Sequence, residues 1–300
     1  MCKSIVFLLM TSCLFAEMQN HYILGSNGLN SAVKPTTGFA YSNLYTRYEA
    51  RQINNQRGKK VDLKGKDHLE VQYLHNIFSY FSSAKIVGAS YGFQVDVPCT
   101  TMTLDTAVFN RSFDGAGKKL KLSDIYFEPI DLRWNWGQLY FFLAYGVYAP
   151  TGKFKPFSSR NTGLGDWGQM ATAASTLFFD SGKTFSVSAY ATYEIHSKKR
   201  GIDFTAGDNF CLEWGIGKTF DKVLTIGAVG YYERQPNRDR GRDVPQVARH
   251  ARDKVLSAGP EVDLFVPQMN GTLLARYEFE FEAVSRTKGR MLTVAAVFNF

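Results

Sequence analysis

Beyond residue 16 the chain has no uninterrupted apolar run of about 18 residues, which excludes helical membrane spans. Cysteine is scarce: of the four in 300 residues, Cys2 and Cys13 fall in the first sixteen, leaving Cys99 and Cys211. Two cysteines so far apart suit neither a zinc site nor a disulfide-rich fold. They stand as unpaired small residues or as one bridge made in an oxidising compartment. A hydrolase motif is also missing. No Gly-x-Ser-x-Gly elbow occurs, and neither His75, placed by parity on the outer face of its strand, nor His196 has a serine partner in view. No catalysis, metal or cofactor is expected. The formal charge of +8 does not read as nucleic-acid binding, because Lys and Arg fall in the inter-strand stretches 51–66, 118–121, 198–200 and 234–252 without interleaved aromatics.

What is abundant is aromatic: 24 Phe, 16 Tyr and 4 Trp. Such content is usual where rings sit at two membrane interfaces. The last ten residues, Met291-Leu-Thr-Val-Ala-Ala-Val-Phe-Asn-Phe300, alternate with a period of two. Leu292, Val294, Ala296, Phe298 and Phe300 share one face. A terminal strand of this kind, ending on Phe298 and Phe300, is expected to close a transmembrane barrel and to serve as its assembly signal.

The N-terminus reads as an export signal, residues 1–16, with Lys3 before the apolar Ser4-Ile-Val-Phe-Leu-Leu-Met10 and Ala16 as the cleavage point. Lipoprotein processing at Cys13 is the alternative. Residues 17–36, rich in Gly and Asn without periodicity, read as a short periplasmic lead-in, too short to form an energy-coupling plug domain. The single domain 37–300 carries about twelve strands: 38–50, 69–81, 85–97, 124–136, 138–149, 167–179, 184–196, 210–220, 223–235, 254–266, 272–285 and the closing strand. Turns are expected at Phe81–Ala84, Trp136-Gly137, Asp180–Lys183, Asp221-Lys222 and Gln268–Gly271. Pro129 marks a bulge or register change. Connections alternate long and short, the rhythm of a closed antiparallel transmembrane β-barrel with short periplasmic turns and long extracellular loops.

Alternation supplies the faces. Phe185, Val187, Ala189, Ala191, Tyr193 and Ile195 oppose Ser186, Ser188, Tyr190, Thr192, Glu194 and His196. Ala275, Tyr277, Phe279, Phe281 and Ala283 oppose Arg276, Glu278, Glu280 and Glu282. With apolar faces outward, the lumen is expected to carry Glu70, Asp96, Asp124, Asp131, Glu194, Glu213, Glu261, Asp263, Glu278, Glu280 and Glu282 against Arg133, Arg276 and Arg47. This set is either an acidic constriction that disfavours anions or a charge ladder bracing the wall. Tyr140, Phe142 and Tyr148 also face inward, to stack a ring-bearing solute or to fill space.

Several patches carry a resemblance. They are Tyr91-Gly-Phe-Gln-Val-Asp-Val-Pro98, Asp124-Ile-Tyr-Phe-Glu-Pro129, Ala149-Pro-Thr-Gly-Lys-Phe154 and Asn161-Thr-Gly-Leu-Gly-Asp-Trp167, then Ala206-Gly-Asp-Asn-Phe210 with Glu213, Gly230-Tyr-Tyr-Glu-Arg-Gln235 and Ala258-Gly-Pro-Glu261. In this order they resemble the MetA-pathway of phenol degradation family of bacterial outer-membrane transporters, over about 35–300. Leu122-Ser123 departs from the family, which commonly has a glycine before the position of Asp124. The resemblance implies passive uptake of small hydrophobic or aromatic solutes by a monomeric channel without a cofactor. Its partners would be outer-membrane lipid, lipopolysaccharide and the barrel-assembly machinery. A structural or adhesive surface barrel is the alternative.

Overall fold

The computed structural model describes residues 20–33, 35–61, 68–106, 111–113, 119–156, 158, 161–246 and 248–300. The export signal 1–16, with Cys13 and Ala16, lies outside them. The chain runs through β1 (Gly38–Ile53), β2 (His68–Ile86), β3 (Ala89–Asp96), β4 (Cys99–Thr106), β5 (Arg111–Phe113), β6 (Lys121–Leu122), β7 (Ile125–Trp136) and β8 (Leu139–Ala149). It continues through β9 (Gly168–Phe178), β10 (Phe185–His196), β11 (Asn209–Phe220), β12 (Leu224–Arg234), β13 (Lys254–Val266), β14 (Gly271–Val284) and β15 (Thr287–Asn299).

Twelve of these close a ring, in the order β1, β15, β14, β13, β12, β11, β10, β9, β8, β7, β3, β2 and back to β1. All pairs are antiparallel. The closing strand pairs with its predecessor and with β1, as its pattern requires (Leu292↔Tyr277 and Leu292↔Arg47). Beyond it the Phe300 amide donates to the Phe39 carbonyl at 2.8 Å. β4 prolongs β3 past Val97-Pro98 along the first half of β2, and β5 and β6 pair with it. Proline has no N–H to give a ladder, so the strand breaks there and resumes.

The wall is apolar outside and polar inside. Along β10, Phe185, Tyr193 and Ile195 are exposed, whereas Ser186, Ser188, Thr192, Glu194 and His196 are buried. A wall with that polarity is stable with lipid outside and no open sheet edge. β9 alternates just as strictly, but with small residues on both faces (Ala171 and Ala173 out, Thr172 and Ala174 in).

Two expectations of register change. The hairpin between β2 and β3 turns at Val87-Gly88, not at Phe81–Ala84. Both turn residues have positive φ, 50° and 77°, the geometry that suits a two-residue connection between twisted strands. The ladder slips between Phe81 and Lys85, so β2 stays extended through the polar stretch that reads as a turn. The second change is on β14, where Glu282 faces Leu256 but Glu280 faces Ser257, leaving Phe281 as the extra residue of a bulge. Parity inverts there: Ala283 is buried inside, and Glu282 points outward to Lys254 at 2.6 Å. Glu282 is therefore not a lumen residue. At Pro129 the expected bulge is present, between Phe127 and Ile130.

Candidate functional site

The lumen is crossed by residues 20–33. Gly25, Asn27, Gly28 and Asn30 make this stretch a poor strand, so its peptide groups have no ladder to join and need other partners. The inward carboxylates provide them. Glu194 on β10 accepts the His21 and Tyr22 amides at 3.1 and 3.2 Å and the His21 Nδ1 at 2.6 Å. Glu213 on β11 accepts the Gly25 and Asn27 amides at 2.5 and 2.7 Å. Glu261 on β13 accepts the Leu29 amide at 3.1 Å, and Thr176 on β9 accepts that of Ala32 at 3.2 Å.

Two arginines hold the carbonyl side. Arg276 on β14 pairs with Glu261 and donates from Nη1 to the carbonyls of Gly25 and Asn27. Arg133 on β7 is clamped by Asp131 at 2.9 Å, lies 4.2 Å over the Phe142 ring, and donates to the Val33 carbonyl at 3.2 Å. At the other end Asn20 donates to Glu233, which also pairs with Arg286. Glycine at 28 leaves room for the Glu261–Arg276 pair, whose side-chain ends a Cβ there would push aside, and a Cβ on Gly215 of the facing wall would meet the Gly28 backbone. Residues 20–33 thus form a plug. The expected periplasmic lead-in therefore lies, over 20–33, inside the lumen, because the inner acids are a row of acceptors for its main-chain N–H groups.

Beside the plug runs a cavity of about 500 Å³, from Tyr126 and Tyr148 toward the long-loop end to Lys222 and Phe265 at the short turns, lined also by Phe142, Tyr190, Arg133, Arg276 and plug residues. Of the three aromatics expected inside, Phe142 and Tyr148 face this chamber. Tyr140 packs against Phe178 and takes the Lys183 ammonium on its hydroxyl at 2.7 Å. Near the loop end the His21 ring stacks on Tyr148, with centroids 4.8 Å apart, and approaches Asp124 at 3.4 Å.

Asp124 also accepts the amides of Gly152 and Leu164 at 2.9 and 2.6 Å, tying the loop 150–166 over this end. A second pair of long loops is tied together by Asp203. Lys198 and Arg242 hold its carboxyl below the usual range, and Phe204, Ala206, Val244 and Ala248 form a small apolar core between these loops.

The other expected residues fall as follows. Asp96 is inside, bonded to His75 Nδ1 at 2.6 Å; His75 faces the lumen, contrary to the parity assigned to it. Glu278 lies against Gly25 and is held by the Ser257 hydroxyl at 3.3 Å, and Asp263 is half-buried beside the chamber. Glu280 accepts from the hydroxyls of Tyr48 and Tyr231, each at 2.9 Å. Glu70 and Arg47 lie outside the lumen and pair with each other at 2.8 Å. Cys99 and Cys211 are free thiols.

Sequence reasoning missed Glu128, Glu233, Asp166, Lys199, Arg286 and the whole plug. The available signal was an excess of inward carboxylates over inward cations beside a Gly/Asn-rich segment of matching length.

No curated protein matches the chain. Among solved structures it is similar to an outer membrane channel from Pseudomonas putida F1, at 12% identity and a TM-score of 0.77, covering 92% of this chain and 100% of that one. It is also similar to the beta domain of the Bordetella autotransporter BrkA, at 12% identity and a TM-score of 0.55, covering 88% and 100%. Both likenesses are of fold. Residues 50–295 match the family described as MetA-pathway of phenol degradation, and the chain belongs to that family.

Proposed function

We propose that this chain is a monomeric outer-membrane channel for passive uptake of small hydrophobic or aromatic solutes, gated by its plug. The observation that carries the reading is the cavity of about 500 Å³ beside the plug, with Tyr126, Phe142, Tyr148 and Tyr190 on its wall. That volume lies in the range of sites for single small organic molecules, and a wall that sets Tyr126, Phe142, Tyr148 and Tyr190 beside Arg133, Arg276, Glu261 and Asp263 suits flat solutes carrying a polar edge. Twelve strands leave a narrower interior than the sixteen to eighteen of an open porin, so a segment of 14 residues is enough to obstruct it. The inner acids serve mainly as a structural ladder that holds the plug. The similarity to a solved outer membrane channel and the family membership support the same direction.

Liposome swelling tests the reading. Vesicles bearing the purified protein should swell faster in small phenolic solutes than empty vesicles do, and faster than in sugars of similar size. Equal rates with and without protein for every solute would remove the transport role and favour a structural or adhesive barrel. The exposed basic loops would then be its working surface, facing lipopolysaccharide phosphates.

The C-terminal strand is proposed as the handle for the barrel-assembly machinery. Phe300 is 77% exposed and makes one main-chain bond to Phe39, so its ring contributes little to the finished wall. Removing Phe300 should leave the folded barrel about as stable in detergent while lowering the amount inserted in cells. Normal insertion without it would show that the handle lies elsewhere.

A further inference from the structure

The geometry points to a divalent metal site of the zinc class that fastens the plug to the barrel wall, built from His21, Asp166 and His196. One ligand atom from each of these residues lies within 4.8 Å of the other two. His21 belongs to the plug, His196 ends β10 and Asp166 lies in the loop before β9, so an ion here would bridge three segments. Glu194 Oε1 lies 2.6 Å from His21 Nδ1, and by holding that side of the ring it leaves Nε2 as the atom turned to the ion. Two imidazoles with carboxylates are a donor set that zinc accepts, with bonds of about 2.0–2.2 Å. Reaching such bonds needs the three groups to draw in by about 1 Å toward a common centre, which the non-strand segments carrying His21 and Asp166 permit.

Two further observations point to a ligand. His21 Nε2 and Asp166 Oδ1 are fully buried and lack hydrogen bonds. Their nearest charged neighbours are Asp124 at 3.4 Å and Lys199 at 3.5 Å. An unmet buried polar atom is costly, and two in one cluster call for a common partner. Charge agrees. The carboxylates of Asp124, Asp166 and Glu194 are 3% exposed or less and face the single ammonium of Lys199, leaving two formal negative charges. A dication cancels them, whereas a proton on His21 leaves one. Lys199, which approaches Asp166 at 3.5 Å, also donates to the Leu164 carbonyl at 3.1 Å and so fixes the loop that carries Asp166. The site stands whichever solute the barrel carries.

The test uses the tag-free full chain in detergent, stripped with chelator and titrated calorimetrically with zinc chloride. One saturable site per chain is expected. His21→Ala, His21→Gln and Asp166→Asn should each weaken it by about tenfold or more, while the heat-modifiable gel shift of the folded barrel persists. Amides of residues 20–33 should exchange hydrogen more slowly when zinc is bound. Absence of a saturable site would overturn the proposal. Affinity that is unchanged in the three variants would also overturn it, by assigning zinc to other histidines. Unaltered exchange in 20–33 with zinc bound would show that the ion does not fasten the plug.

Discussion

Deleting residues 20–33 is expected to turn a closed lumen into a wet pore, with solute flux into liposomes rising by roughly tenfold or more and losing its preference for aromatic solutes. Ten main-chain groups of the plug end on wall side chains: the amides of His21, Tyr22, Gly25, Ser26, Asn27, Leu29 and Ala32 and the carbonyls of Gly25, Asn27 and Val33. Deletion removes these partners together, yet the barrel should stay folded. The strand ladders do not involve the plug, and water entering the lumen can hydrate Glu194, Glu213 and Glu261 in its place. The control is the gel shift of the folded barrel, which should match that of the full chain. A deletion variant that folds and conducts no better than the intact protein would show that the long loops, not the plug, close the path.

The wall was legible in the sequence and the plug was not, for a physical reason. Alternation with period two is imposed on every strand by lipid on one side and water or polar groups on the other, so β10 and β15 declare their faces residue by residue. β9 is harder to read, because Ala171 and Ala173 outside and Thr172 and Ala174 inside differ little in polarity. The pattern also gives no warning of a bulge, and one extra residue at Phe281 sent Glu282 to the outer face.

Segment 20–33 has no periodicity because it belongs to no ladder; its conformation is written in the wall residues that receive it. The scattered family patches make this visible afterwards. Asp124, Asp166, Glu213 and Glu261, drawn from four separate motifs, all gather around the plug or its histidine cluster.

The second large effect is expected at Arg276. Its guanidinium is 2% exposed, pairs with Glu261, and donates to two plug carbonyls. Replacing it with methionine keeps much of the volume but leaves Glu261 buried beside Glu278 with no cation, which should cost about 3–5 kcal/mol, the usual penalty for breaking one side of a buried pair. Folded barrel in lipid vesicles should unfold at lower urea, and flux should rise because the plug loses two anchors. Arg276→Lys should recover only part of both effects, since an ammonium cannot reproduce the fork that reaches carboxylate and carbonyls at once.

The double variant Arg276→Met with Glu261→Leu separates the two consequences. With no buried charge left over, stability should return toward the parent value, while flux stays high because the Gly25 and Asn27 carbonyls and the Leu29 amide still lack their wall partners. A loss below about 1 kcal/mol in the single variant would mean that water already reaches Glu261. The plug would then rest in a hydrated lumen instead of sealing it.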